Sequence, residues 1–309
     1  MTLIPIIERF SIVAPLGVCF HDAAAGARIF DGLSVFAYPA NEDVRKNKTE
    51  LLPNRQGVFV LQKIKGLEEF SRGGGDDEFW KNNPPEKSYI LEVSDIEKRF
   101  QPFQLIVKLP VRGLYKWENI PALSPNKNQE SIPLYSSPTR KTSGGMSVIR
   151  AKLHEKNGAS AANAVLEARF EGKLIARGIA DSDGQIVLIF PALAPQSKPL
   201  ASPPLSSKRI SLAEQEWKID FTVNYKPGVF QSVPPETKSG TEEILPDLKL
   251  VLAQKKGKLW VDDGQSEQFT TAVLQTGKDL ILRSRKSAVG SPPASETVFL
   301  SFLSVKPAN

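Results

Sequence analysis

The sequence predicts a mainly β protein: two tandem β-sandwich modules of immunoglobulin or transthyretin type, followed by an extended C-terminal β region with long loops. Three observations predict it. β-Branched and aromatic residues gather in short runs bounded by Gly, Pro, Asn or Asp; 24 prolines and 21 glycines punctuate 309 residues; and one strand–turn–strand pattern occurs twice. A chain of this length is also long for a single core, which favours two compact units.

Taken in order, the strand-like runs are residues 9–13, 33–37, 57–62, 89–93, 104–109, 147–153, 164–170, 173–179 and 185–190. Four later ones cover 217–225, 247–252, 280–283 and 297–305. Helical signals are scarce: Ser211 can cap a short turn over 211–216, and 265–275 reads as another helical piece. Between these runs lie connections of low hydrophobicity at 71–87, 118–146, 192–209, 226–243 and 286–296. Loops this long inside compact domains commonly carry function or are mobile insertions, and here they read as contact arms or, for any single loop, as an insertion with no role.

The repeat is carried by residues at matching offsets. Strand-like Gly17-Val18-Cys19-Phe20-His21 leads to Gly26, then to Leu33-Ser34-Val35 and to Asn54-Arg55-Gln56-Gly57-Val58-Phe59-Val60-Leu61. Ile149 to Leu153 lead in the same way to Gly158, then to Val165-Leu166-Glu167 and to Asp181-Ser182-Asp183-Gly184-Gln185-Ile186-Val187-Leu188. The first two correspondences share an offset of 132 residues and the glycine pair Gly57 and Gly184 an offset of 127, so one loop differs by five residues. In the Asp181 turn the Asp side chain satisfies nearby N–H groups while Gly takes positive φ and releases the next strand, and the Asn54 turn lacks both acids but keeps the glycine. Apolar residues of both parities in Ile186-Val187-Leu188-Ile189-Phe190 predict a strand buried on both faces.

Chemistry-bearing motifs are few. Asp181 and Asp183 lack the further oxygen ligands, at fixed offsets, that a calcium loop requires, and they read as a turn. One cysteine and two histidines, with His21 and His154 in different modules, do not make a four-ligand zinc set. Cys19 and His21 share one strand face, the arrangement of a nucleophile and its base, but also that of a buried thiol beside a hydrogen-bonded imidazole. No nucleophile elbow, HExxH, phosphate-binding loop or dinucleotide fingerprint occurs, and Gly73-Gly74-Gly75 is followed by Asp76-Asp77, which repel phosphate. Asp262-Asp263 is a second adjacent acid pair. No catalytic, cofactor-binding or metal-binding residue is assigned, and no enzyme activity is expected.

Lys and Arg number 40 against 34 acids, for a net charge of +6. Basic spots at Arg45-Lys46-Asn47-Lys48, Lys255-Lys256-Gly257-Lys258 and Arg283-Ser284-Arg285-Lys286 lack interleaved aromatics, so they read as solvated loop charge and no nucleic-acid partner is expected. The lone Cys19 allows no internal disulfide and fits a reducing compartment. Glu8 and Arg9 interrupt the apolar start, so no signal peptide is read, and any membrane contact is expected to be peripheral.

Two resemblances add to this reading. Gly158, Ala164-Val165-Leu166 and the Asp181 to Leu188 run resemble the carboxypeptidase-regulatory-like, or transthyretin-like, β-sandwich, which implies a non-catalytic module. Pro15-Leu16-Gly17-Val18-Cys19-Phe20-His21-Asp22, Asp31-Gly32-Leu33, Asn54 to Leu61, Lys108-Leu109-Pro110-Val111-Arg112-Gly113-Leu114, Pro133-Leu134-Tyr135-Ser136-Ser137-Pro138-Thr139-Arg140 and Leu280-Ile281-Leu282-Arg283 together resemble structural proteins of phage-tail-like contractile injection systems that accompany the tail-terminating cap. That resemblance implies a cytoplasmic particle component, a cyclic homo-oligomer with a hexamer favoured, and cap, terminator, sheath and tube subunits as partners. The expected division is a first module at 1–117, a linker at 118–146, a carboxypeptidase-regulatory-like module at 147–230 and a C-terminal interaction arm at 231–309. Residues 226–246 and 292–305 are the expected arms, adding a strand to a neighbour's sheet. The alternative function is a carbohydrate- or peptide-binding accessory module, with Trp80, Trp117 and Trp260 as its aromatic platform.

Overall fold

The structure is a computed structural model that describes residues 14–40, 47–67, 81, 85–117, 131–194, 215–228, 230, 245–286 and 300–307. The expected strand at 9–13, the helical cap at Ser211, the Gly73 to Asp77 run, Trp80 and most of the long connections lie outside the described residues.

Each half of the chain builds two antiparallel-dominated sheets around its own core. In the first, β1 (Leu16–Asp22), β2 (Arg28–Ile29), β5 (Leu52–Pro53), β6 (Phe59–Leu61) and β9 (Ser131–Leu134) form one sheet. The other contains β3 (Leu33–Pro39), β4 (Thr49–Glu50), β7 (Lys87–Asp95) and β8 (Phe103–Leu109), in the order β4-β3-β7-β8. Alternate residues Leu16, Val18 and Phe20 of β1 enter the core, where Phe20 meets Phe59 edge-on with ring centroids 5.3 Å apart.

The second half repeats this plan. One sheet is ordered β13-β10-β19-β15-β16, with β18 also on β10, and the other is ordered β12-β11-β14-β17. Its strands are β10 (Met146–Glu155), β11 (Val165–Phe170), β12 (Lys173–Ile179), β13 (Gln185–Pro191), β14 (Glu216–Asn224), β15 (Lys258–Trp260), β16 (Gln268–Phe269), β17 (Thr271–Gln275), β18 (Leu280–Leu282) and β19 (Leu303–Lys306). In β14, Trp217, Ile219, Phe221 and Val223 are buried while Glu216, Lys218 and Asp220 are exposed, so burial of one parity supplies about 1.5–3 kcal/mol per large apolar side chain. β13 is covered on both sides. Ile186, Leu188 and Phe190 enter the core, and Val187 and Ile189 pack with Val148, Met146 and Ala24 of the first sandwich.

The sequence repeat corresponds to a repeat of pairing. β1 runs antiparallel to β6 as β10 does to β13, and β3 pairs with β4 and β7 as β11 pairs with β12 and β14. The parallel Gly17 to Leu114 bridge matches the Ile149 to Leu280 pairing, and the parallel pairing of β1 with β9 matches that of β10 with β19. The two third turns match bond for bond. Asn54 Oδ1 accepts from Gln56 N and Val58 N at 2.9 and 3.0 Å, and Asp181 Oδ1 accepts from Asp183 N and Gln185 N at 3.0 and 2.8 Å. Gly57 and Gly184 then take φ of 72° and 75°.

Several expectations require correction. Residues 247–252 form a short helix, α1 (Leu248–Leu252), where a strand was expected: Asp247 accepts from Lys249 N and Leu250 N, and Leu248 and Val251 are the buried residues. The alternation of Leu248, Leu250 and Leu252 suits a strand, but the cap and the three-residue spacing of the buried pair decide for the helix. The helical piece expected over 265–275 is instead a turn, closed by Asp262 accepting from Ser266 N and Glu267 N, followed by β16 and β17. Residues 131–134, expected in a linker, are β9 of the first sandwich. The region at 231–309, expected as a separate arm, supplies β15 to β19 to the two sheets of the second half, and β19 lies between β10 and β15. At least its last four strand residues are therefore committed within this chain.

Gly26 and Gly184 both have φ above +70°, but an added Cβ meets nothing within 4 Å at Gly26 and overlaps the Leu153 carbonyl oxygen at Gly184. Gly26→Ala should therefore cost about 1 kcal/mol, the left-handed penalty alone, and Gly184→Ala about 3 kcal/mol, penalty plus overpacking. Urea unfolding midpoints of the two variants measure this, and equal losses would contradict it.

Candidate functional site

The sites proposed from sequence separate in the folded chain. Cys19 and His21 do share a face of β1, but each has its own partner. Arg28 Nη2 lies 2.6 Å from Cys19 Sγ, and Ser131 Oγ lies 2.8 Å from His21 Nδ1. Burial lowers the His21 pKa against the opposing influence of Asp22 and the Ser131 contact. His154 is hydrogen-bonded through Nδ1 to the Gly158 carbonyl and stacks on Phe302 with centroids 4.9 Å apart. Asp262, one of the adjacent acids, closes its own turn. Among the described residues, no three His, Cys, Asp or Glu side chains converge as metal ligands.

Of the three tryptophans expected as a platform, two are described and Trp80 lies outside the described residues. Trp117 is buried in the first core, and Trp260 is a half-buried residue of β15. A sugar platform needs an exposed ring face, which Trp117 does not offer.

What the fold brings together is a junction between the two sandwiches. Val165 and Ile179 of the second half, with Leu248 and Val251 of α1, belong to the same apolar cluster as Phe103, Leu105 and Tyr135 of the first. Two arginines tie the segment after β9 to each half. Arg140, just beyond β9, donates to both carboxylate oxygens of Asp22 at 2.9 and 2.5 Å and to Ser136 Oγ at 2.9 Å, with its guanidinium over the Phe100 ring. Arg150 of β10 donates to the Pro138 carbonyl at 2.9 Å.

A second cluster centres on Glu167. It faces Arg177 across the β11–β12 pair, receiving from Arg177 at 2.6 and 3.0 Å and from Arg169 at 3.0 Å. Arg177 also reaches the hydroxyl of Tyr135, a fully buried residue of the first half. Burial alone would raise the Glu167 pKa, but the hydrogen bonds and charges of Arg177 and Arg169 outweigh it and hold the carboxyl below its ordinary value. Burial raises the Tyr135 pKa, so the phenol stays protonated. The Glu167–Arg177 pair is legible in sequence as opposite charges set across a hairpin that turns at Glu171 and Gly172. Its partner Tyr135 is not, because nothing local announces a contact with a strand more than thirty residues later.

Beside this cluster lies a cleft of about 190 Å³ between the two halves. Gln101, Pro102, Phe103 and Tyr135 line it from the first sandwich; Ala162, Asn163, Ile179, Ala180, Asp181 and Ser182 from the second; and Leu245, Pro246, Leu248 and Val251 from the segment around α1. The Asp181 turn thus has two roles in space: it launches β13 and it forms part of the cleft wall. Burial raises the Asp181 pKa, against the backbone N–H groups of Gln185 and Asp183, which lower it. The sequence reading missed this cleft, since its lining comes from five separated segments.

No protein-family model matches the chain. No curated protein matches it either. Among solved structures, the C-terminal fragment of the pilus adhesin SpaC from Lactobacillus rhamnosus GG aligns over 94% of this chain and 96% of its own at 7% identity, with a TM-score of 0.16. A likeness of that degree carries no argument about fold or function.

The depressed Glu167 pKa has a defined thermodynamic sign. Its folded value lies below its unfolded one, so its contribution to stability is complete above the unfolded carboxylate pKa of about 4.3 and is lost as pH falls through the folded value. Glu167→Gln should flatten the fall in unfolding free energy between about pH 5 and pH 3 while lowering stability at neutral pH by about 3 kcal/mol, the cost of breaking a buried pair on one side. Chemical unfolding across that pH series measures both, and an unchanged slope would show that the pair does not govern acid stability.

Proposed function

We propose that the chain is a non-catalytic structural protein of a phage-tail-like contractile injection particle, in the cap or terminator complex at the end of sheath and tube. It acts by symmetric protein–protein assembly, as a cyclic oligomer in the cytoplasm, with cap, sheath and tube subunits as neighbours.

The observation that carries this reading is where the family-like segments lie. The segment from Pro15 to Asp22 contains β1, that from Asn54 to Leu61 contains the Asx turn and β6, and that from Pro133 to Arg140 contains the end of β9 and its ion-paired arginine. β6 and β9 are both neighbours of β1, and Arg140 closes on Asp22. Five of the six segments therefore lie in the first half, three of them side by side in one sheet, while Leu280 to Arg283 contains β18 of the second half. A scaffold role is also supported by the use of the buried charges: Asp22, Glu167, Asp95 and Asp247 each hold strands, turns or a helix cap together. Ring subunits contact one another through unlike surfaces that close by rotation, for which a rigid two-sandwich body is a suitable unit.

Co-expression with the cap, sheath and tube subunits of one such system should yield a co-eluting complex, visible as a ring by electron microscopy of the purified material. A chain that stays monomeric and free of all three would overturn the reading.

A further inference from the structure

The junction cleft combines apolar walls with an unmet hydrogen-bonding demand. Pro102, Phe103, Ile179, Leu248 and Val251 supply the walls. Gln101, on the approach to β8, is fixed through its backbone N–H to the Tyr135 carbonyl at 2.9 Å, yet its side-chain Nε2 is buried without a hydrogen-bond partner. Gln104, outside the cleft lining, donates its backbone N–H to the Pro246 carbonyl of the cleft wall at 2.9 Å. A buried donor left unsatisfied is costly, and native interiors rarely tolerate one without an occupant that accepts from it.

The opposite wall offers the complementary group. Asp181 Oδ1 is filled by Asp183 N and Gln185 N, while no described side chain or backbone group donates to Oδ2. An occupant that accepts from an amide, donates to a carboxyl and places an apolar body between them has the chemistry of a peptide unit with one apolar side chain. The chain itself supplies an example along this wall: residues next to α1 lie against β8, with a parallel bridge between Gln104 and Asp247. The volume is far above the roughly 15 Å³ that one water needs.

We propose that the junction cleft is a binding site for an extended, uncharged peptide segment of a partner protein, its carbonyl accepting from Gln101 Nε2, its N–H donating to the Asp181 carboxyl and one apolar side chain seated on Phe103, Ile179 and Val251. The source of that segment, a neighbouring subunit, rests on the assembly role proposed above; the recognition chemistry does not. The mode is strand-like recognition, in which backbone groups give affinity and a side-chain pocket gives selectivity.

The test uses the whole chain, labelled with ¹⁵N-glutamine, and N-acetyl-leucine N′-methylamide as probe. Titration should shift the Gln101 side-chain amide resonances saturably. N-Acetyl-leucine methyl ester, which lacks the terminal N–H, should bind several-fold more weakly, and Gln101→Leu should weaken the amide about tenfold, the loss of one hydrogen bond. Unchanged unfolding of Gln101→Leu separates loss of binding from loss of fold, and the wild-type shifts are read independently of any variant. Unshifted Gln101 resonances throughout the titration, or equal binding by Gln101→Leu, would overturn the proposal and leave the cleft to solvent. Probe binding without co-assembly with cap, sheath or tube subunits would overturn the particle reading alone, whereas co-assembly with no probe binding would overturn the cleft alone.

Discussion

Each half of this protein depends on a parallel pairing between strands far apart in the chain. β9 lies parallel to β1 in the first half, and β18 and β19 lie parallel to β10 in the second. Such pairing costs loop-closure entropy before it returns any contact, so the sheets form only because burial of the surrounding apolar residues offsets that cost. Most of the described features follow from it. The β1–β9 pairing brings Ser131 to His21 across 110 residues, carries Tyr135 toward Arg177 and sets Arg140 on Asp22 across 118 residues.

The two halves are variations on one plan, and their differences locate the specialised parts. The Asn54 and Asp181 turns use the same oxygen for the same two N–H groups. An amide suffices for that task, so the charge of Asp181 is not required by the turn. Its added feature is position, since Asp181 stands in the wall of the junction cleft and Asn54 does not. Between β14 and β17 the second half carries α1, β15 and β16, and α1 is the element that packs its Leu248 and Val251 into the core of the first half.

The buried carboxylates described in this molecule are used for construction. Glu167 is held ionised by two arginines despite burial, and Asp22 receives a forked arginine. Pairs of this kind are weak contributors compared with an apolar replacement but costly to break, so they fix which surfaces meet more than how strongly they adhere. The junction itself is apolar and is crossed by the Arg177–Tyr135 contact, while each ion pair lies within one half.

The sequence by itself determined the strand content, the turns and the duplication. β3, β7, β8, β10, β11, β12, β13 and β14 were legible because β-branched and aromatic runs bounded by turn residues are local properties, and Gly57 and Gly184 marked their turns through the positive φ only glycine takes readily. Four short strands were not: β9, β15, β16 and β17 have two to five residues and their identity comes from the neighbours they pair with, whereas β6 and β18, equally short, lay inside readable apolar runs. At Leu248 to Leu252 both periods fit, and the Asp247 cap with burial against the first core selected the helix. Only the tertiary structure decided that the C-terminal residues belong to the second pair of sheets, that Tyr135 completes an ion pair from the other half, and that Gln101 and Asp181 face a common cleft. Those are contacts between segments with no shared local pattern, and their free energy exists only once both sandwiches are closed.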